Sequence, residues 1–151
     1  MNINRRQALT LSAGAALFAV TGMSAGSARA DAAAVDKAMM EITGGATPEE
    51  GKLTLNAPEI AENGNTVPIG VSVDSAMEGD DIVESITIFA EGNPEPSVIT
   101  FNFTPMSGEA TASTRMRLAK TQNVVALAKM KDGKTYMAKS EVKVTIGGCG
   151  G

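Results

Sequence analysis

From Lys52 onward apolar and polar residues alternate with a period of two, and Val67, Ile69, Val71 and Val73 stand against Pro68, Gly70, Ser72 and Asp74. Successive side chains of a strand point to opposite faces, so this alternation predicts strands with one face in a core. Strands are expected at Lys52 to Asn56, Thr66 to Asp74, Ile82 to Ala90, Ser97 to Thr104, Ala110 to Leu118, Asn123 to Met130 and Thr135 to Ile146. Turn clusters such as Glu62-Asn63-Gly64-Asn65, Gly92-Asn93-Pro94 and Ser107-Gly108 separate them. In Lys131-Asp132-Gly133-Lys134 the Asp-Gly pair supplies the positive φ of a type I′ turn, which predicts a hairpin there. Short alternating strands at this spacing predict an all-β, two-sheet antiparallel sandwich. In the last strand Val142, Val144 and Ile146 are expected to face inward, with Lys143 and Thr145 outward. A helical period occurs at Asp31 to Thr43, where Val35, Met39 and Ile42 recur at i, i+4 and i+7 ahead of Gly44-Gly45. It predicts a short amphipathic helix with a glycine stop, able to cover one edge of a sheet.

The N-terminus follows neither period. Asn4-Arg5-Arg6-Gln7 precedes an apolar run from Ala8 to Val20, and Ala28-Arg29-Ala30 supplies the small-x-small pattern of a signal-peptidase site. Arg5 and Arg6 read as the recognition pair of a twin-arginine export signal, cleaved after Ala30, which places the mature protein in the periplasm. The run is shorter than the ~20 residues a membrane-spanning helix needs, so no membrane attachment is expected after cleavage. The chain thus divides into a signal (1–30), a sandwich domain (31–146) and a C-terminal arm (147–151). Twin-arginine export carries folded proteins, usually because a cofactor or partner must be acquired first. No cofactor motif is visible, which leaves a partner.

Removal of the signal alters the charge. The whole chain carries a net −4, but positions 1–30 hold Arg5, Arg6 and Arg29 and no acid, so residues 31–151 keep 10 basic against 17 acidic residues, a net of −7. An acidic surface without a basic cluster argues against nucleic acid or anionic membrane as a partner.

Most catalytic constellations are missing their residues. Without a histidine there is no Ser-His-Asp or Cys-His arrangement, and most zinc and haem ligation is excluded. No glycine-rich loop lies between a strand and a helix to hold a nucleotide phosphate. Glu49-Glu50 and Glu78-Gly79-Asp80-Asp81 lack the alternating oxygens of a calcium loop and read as solvated turns. Met116, Met130 and Met137 fall inside strand patterns without any Met-x-x-Met cluster, so they read as core rather than copper ligands. No metal and no cofactor is expected.

The chemistry falls to the single cysteine, in Gly147-Gly148-Cys149-Gly150-Gly151. In an oxidising compartment an odd cysteine signals an intermolecular disulfide or a reactive thiol. Glycine populates positive and negative φ about equally, so Gly147, Gly148, Gly150 and Gly151 give the thiol a slim, flexible arm that can enter a recessed site on another protein. Nothing in the tail would activate the thiol. A nucleophile without its own base or cation must be activated in a partner's site, so Cys149 reads as a carrier rather than a catalyst.

The twin-arginine signal, the acidic β-rich body and the terminal Val-Lys-Val-Thr-Ile-Gly-Gly-Cys-Gly-Gly closely resemble the SoxY family, sulfur-carrier subunits of the periplasmic Sox system of thiosulfate oxidation. The resemblance implies an immunoglobulin-like sandwich and covalent attachment of pathway intermediates, including a cysteine S-thiosulfonate, at Cys149. It also implies a heterodimer with a SoxZ-like subunit that lacks its own export signal. Transient partners would be the SoxXA cytochrome, the SoxB thiohydrolase and the SoxCD sulfane dehydrogenase. Two readings from other classes stand beside it: a structural subunit joined to its partner through a permanent Cys149 disulfide, and a ubiquitin-like carrier modified at the Gly151 carboxylate.

Overall fold

Burial that alternates along β3 and is nearly continuous along β4 and β7 gives two layers that share one core. The structure, a computed structural model, describes residues 32–145. Arg5, Arg6, Ala28 and Ala30, the expected strand end Ile146, and Gly147, Gly148, Cys149, Gly150 and Gly151 lie outside the described residues. A helix, α1 (Ala32–Thr43), precedes the strands β1 (Leu53–Asn56), β2 (Ile60–Ala61), β3 (Val67–Val73), β4 (Val83–Ala90) and β5 (Ser97–Asn102). A 3-10 turn (Pro105–Ser107) then leads to β6 (Ala110–Met116), β7 (Gln122–Met130) and β8 (Thr135–Val144). One sheet has the order β1-β3-β6 and the other β2-β8-β7-β4-β5. Pairing is antiparallel except between β2 and β8, which run parallel.

Val67, Ile69, Val71 and Val73 of β3 are all buried, as their period demands, and pack in one cluster with Ile86, Ile88, Val124, Ala126 and Val142 of the other sheet. Met116 and Met130 are core residues, as expected. β7 is apolar on both faces because both are covered. Val124, Ala126 and Ala128 face the sandwich core, and Val125 and Leu127 join Phe89 and Val35 in a second cluster.

That second cluster corrects the expected position of the helix. α1 lies on the outer face of the five-stranded sheet rather than along an edge, with Ala38, Met39 and Ile42 beside Val35 and Met137 beneath them. Phe89 and Val125 are register partners on adjacent central strands, so their outward side chains form an apolar patch that the helix removes from water. Burying Val35 alone contributes roughly 1.5–3 kcal/mol. The helix ends at Gly44, whose φ of +64° and the Gly45 N–H bond to the Met40 carbonyl close its last turn.

Several strand ends fall one or two residues short of the alternation, for local reasons, while β7 starts one residue earlier than expected, at Gln122. Thr104 leaves β5 to cap the 3-10 turn, exchanging hydrogen bonds with Ser107. Leu118 leaves β6 because its N–H turns to the Gly64 carbonyl at 2.7 Å. The β7-β8 hairpin forms as predicted, but not through a type I′ turn. Gly133 has φ +87° while Asp132 does not reach positive φ, Gly133 N–H donates to the Met130 carbonyl at 3.1 Å, and Met130 N–H to the Lys134 carbonyl at 2.9 Å. This is a three-residue connection with a glycine bulge, which needs one left-handed residue where type I′ needs two.

At the same end of the sandwich the acidic turn is tied down rather than merely solvated. Lys52 Nζ pairs with Asp81 Oδ1 at 2.8 Å, Ala76 N–H donates to Asp81 Oδ2 at 2.9 Å, and the Ser75 hydroxyl donates to the Asp81 carbonyl. The Lys52 hydrogen bond, helped by the Ala76 N–H, holds the Asp81 carboxyl below the usual aspartate range.

Candidate functional site

β8 carries the chain toward Cys149, and its last three described residues are held from alternate sides. Lys143 N–H donates to the Glu59 carbonyl at 2.9 Å and Thr145 N–H to the Ala61 carbonyl at 3.1 Å, both beside β2. Between them Val144 points the other way. Its N–H donates to the Thr121 hydroxyl at 2.9 Å, and the same hydroxyl returns a longer contact, 3.5 Å, to the Val144 carbonyl. β7 cannot serve here, because it starts at Gln122, opposite Val142. One side-chain oxygen does the work of the β7 neighbour that Val144 lacks on this side, accepting and donating as a paired residue would.

The Val144 side chain packs on the core beside Gly64. A Cβ at Gly64 would stand 2.6 Å from the Leu118 carbonyl oxygen and 2.8 Å from Val144 Cγ1, so no other residue fits without a shift. Glycine is required here for close approach, not for its φ.

The loop that presents Thr121 is fixed in turn. Asn93 bridges it, donating through Nδ2 to the Arg117 carbonyl at 2.8 Å and accepting from Ala119 N–H at 3.2 Å. Gln122, a buried polar residue, accepts the Gly92 N–H at 2.6 Å and donates to the Asn93 Oδ1 at 3.2 Å and the Lys120 carbonyl at 3.0 Å. Beside this neutral network Glu91 takes a hydrogen bond from Asn123 and an ion pair from Lys139, each at 2.7 Å. Burial acts to raise the Glu91 carboxyl, but the Lys139 and Asn123 hydrogen bonds outweigh it and hold the group below the usual range.

Around the corner, a groove of about 680 Å³ opens on the three-stranded sheet where Gly70 lacks a side chain, between Asn56, Pro58, Pro68, Ser113 and Arg115. Its lining contains no acid-base pair. Among the described residues no three Asp, Glu, His or Cys side chains come together as a metal site would require, and no helix is long and apolar enough to cross a membrane.

Sequence reasoning found the strand that leads to Cys149 but missed Thr121, Gly64, Asn93, Gln122 and all of β2. One signal was available. Gln122 stands at the inward parity of β7, in line with Val124, Ala126, Ala128 and Met130, where a polar residue must have partners.

A family model described as sulfur oxidation protein SoxY matches residues 39–149. The structure of the sulfur carrier protein SoxY from Chlorobium limicola f thiosulfatophilum is similar at 37% identity and a TM-score of 0.63, covering 77% of this chain and 100% of that one. A variant of the superoxide reductase (neelaredoxin) from Ignicoccus hospitalis is similar at 23% identity and a TM-score of 0.56, covering 78% of this chain and 90% of that one. At that identity the likeness is one of fold alone. A comparison with curated proteins found no match. The matched span takes in the end of the helix, both sheets and the cysteine, and the chain belongs to the SoxY family of sulfur oxidation proteins.

Proposed function

We propose that this protein is a sulfur carrier that holds thiosulfate-derived intermediates covalently on Cys149 and presents them to successive enzymes of sulfur oxidation. The observation that carries the reading is the extent of the family match, which runs through β8 and ends on Cys149 itself. Support also comes from the 37% identical sulfur carrier, all of whose chain is covered. Cys149 lies four residues beyond Thr145, so an extended chain would carry its sulfur up to about 13–14 Å from the end of the clamped strand. Gly147, Gly148, Gly150 and Gly151 keep the approach slim, and the body supplies a fixed base.

In the loading step the Cys149 thiolate and the outer sulfur of thiosulfate form a sulfur-sulfur bond. The adduct is Cys149-S-S-SO3⁻, and the two electrons released pass to a haem cytochrome of the SoxXA type. SoxB-type and SoxCD-type enzymes would then act on the bound chain, and a SoxZ-like subunit would accompany the carrier. Residues 1–30 act as the export signal, with Arg5 and Arg6 recognised and cleavage after Ala30, and the carrier works in the periplasm as residues 31–146 plus the arm.

Cys149→Ser in a reconstituted pathway is expected to abolish thiosulfate-dependent turnover, with an unchanged melting temperature, and adducts of thiosulfate mass should map to Cys149 in the wild type. Turnover above background in the purified variant, or a permanent protein-protein disulfide as the sole form of Cys149, would overturn the reading.

A further inference from the structure

We propose that Thr121 is a positioning residue that sets where the rigid body ends and the carrier segment begins; its functional meaning rests on Cys149 being the carrier. The ladder between β7 and β8 stops at the pair Gln122 and Val142. Past that pair the strand is held by β2 and its flank on one side, the Glu59 and Ala61 carbonyls among its bonds, and by the Thr121 hydroxyl on the other. The two carbonyls belong to the backbone and survive any substitution. The hydroxyl is the member of the clamp that one side chain supplies, and its loop is held by Asn93 and Gln122, which gives it a fixed place from which to act. Its partner is the middle residue of the three, so its loss leaves Lys143 and Thr145 hinged on a single neighbouring strand of two residues.

With that support gone, whenever the two remaining backbone bonds open together the body-end slips back from Thr145 to Val142, and three residues join the segment that leads to Cys149, lengthening it by about 10 Å. A longer tether spreads the same thiol through a larger volume and lowers its effective concentration at any site that the body has docked against. Thr121 thereby acts on Cys149 through the length of chain that leads to it.

The test uses the purified protein and two readouts that involve no sulfur chemistry: hydrogen exchange of the Val144 amide, and the pattern of body amides broadened by a nitroxide on Cys149, the single cysteine. Thr121→Val keeps the shape and removes the hydroxyl, whereas Thr121→Ser keeps the hydroxyl; Thr121 is exposed, so neither should compromise folding. In Thr121→Val, exchange at Val144 is expected to quicken about fivefold or more, the loss of one net hydrogen bond, and broadening should extend beyond the loops around Gly64 and Thr121. Thr121→Ser should restore both. Unchanged exchange at Val144 in Thr121→Val overturns the proposal, as does faster exchange with an unaltered broadening pattern, or failure of serine to restore either. If the carrier reading alone is wrong, these measurements still come out as expected while Cys149→Ser retains turnover.

Discussion

Where β8 finishes, the loops are tied by amides and a hydroxyl, and where β7 turns into β8 at the opposite end they are tied by charge. At the first end Asn93, Gln122 and Thr121 satisfy backbone groups across 23 to 30 residues of sequence. At the second, Lys52 meets Asp81 and reaches over the Tyr136 ring, 5.9 Å from its centroid. Ionic ties between exposed groups are weak and screened by salt, whereas a neutral hydrogen bond holds its strength across pH and ionic strength. For the carrier proposed above, whose cargo would bring negative charge, a root that such charge cannot loosen is an advantage. The Glu91-Lys139 pair also lies near the root, but it stands on the outer face and bonds to none of the residues that hold Val144.

The sharpest contrast between the ends is steric. Gly64→Ala should cost about 2–3 kcal/mol, because the added carbon meets a backbone carbonyl that cannot rotate away. Gly133→Ala, in open space but at φ +87°, should cost only about 1–2 kcal/mol for its left-handed backbone. Urea unfolding with unchanged m-values would rank them, and equal costs would break the claim that the root is the tightly fitted end.

An effect below that of Gly64→Ala is expected from Gln122→Leu, which strands the Gly92 N–H and removes one of the bonds to Asn93, at about 1–2 kcal/mol. Its signature is constancy: the loss measured in low salt at pH 7 should persist at high salt and at pH 5. A loss that shrinks with salt would mean that the network is ionic after all.

Asp81→Asn should have the smallest effect and the opposite signature. The folded carboxyl titrates below its ordinary value of 3.8, so its contribution is present above that value and disappears as pH falls through the lower, folded one. Wild type and variant should therefore differ slightly in melting temperature at pH 7 and converge in acid. Parallel curves down to the acid limit would show that the Lys52 pair contributes nothing.

Much of this architecture was legible because periodicity is a local signal. Four valines and isoleucines at alternate positions suffice to identify β3, and Val35, Met39 and Ile42 to identify the helix. The helix's own period says which side is buried but not what lies beneath, so it suggests an edge; Phe89 and Val125, 54 and 90 positions beyond Val35, put it on the outer face. β2 has two residues, too few for any period to show. Thr121 escaped for a different reason. A side-chain hydroxyl standing in for a strand leaves no pattern in the sequence, and Gly64 looked like any glycine in a turn until Leu118 and Val144 were seen against it.

The helix on the outer face also dictates an order of events. Twelve residues are too few to remain helical alone in water, and α1 draws its support from β4, β7 and β8. Synthesis delivers α1 before any of these strands exists, so an element made ahead of every other described one can settle only after β4, β7 and β8. Until Val125 and Leu127 have paired in their sheet, Val35 has nowhere to go and the growing chain must keep both halves of that contact from straying. A docked α1 thus reports on the face it covers, and is attainable only by a chain whose central hairpin has already closed.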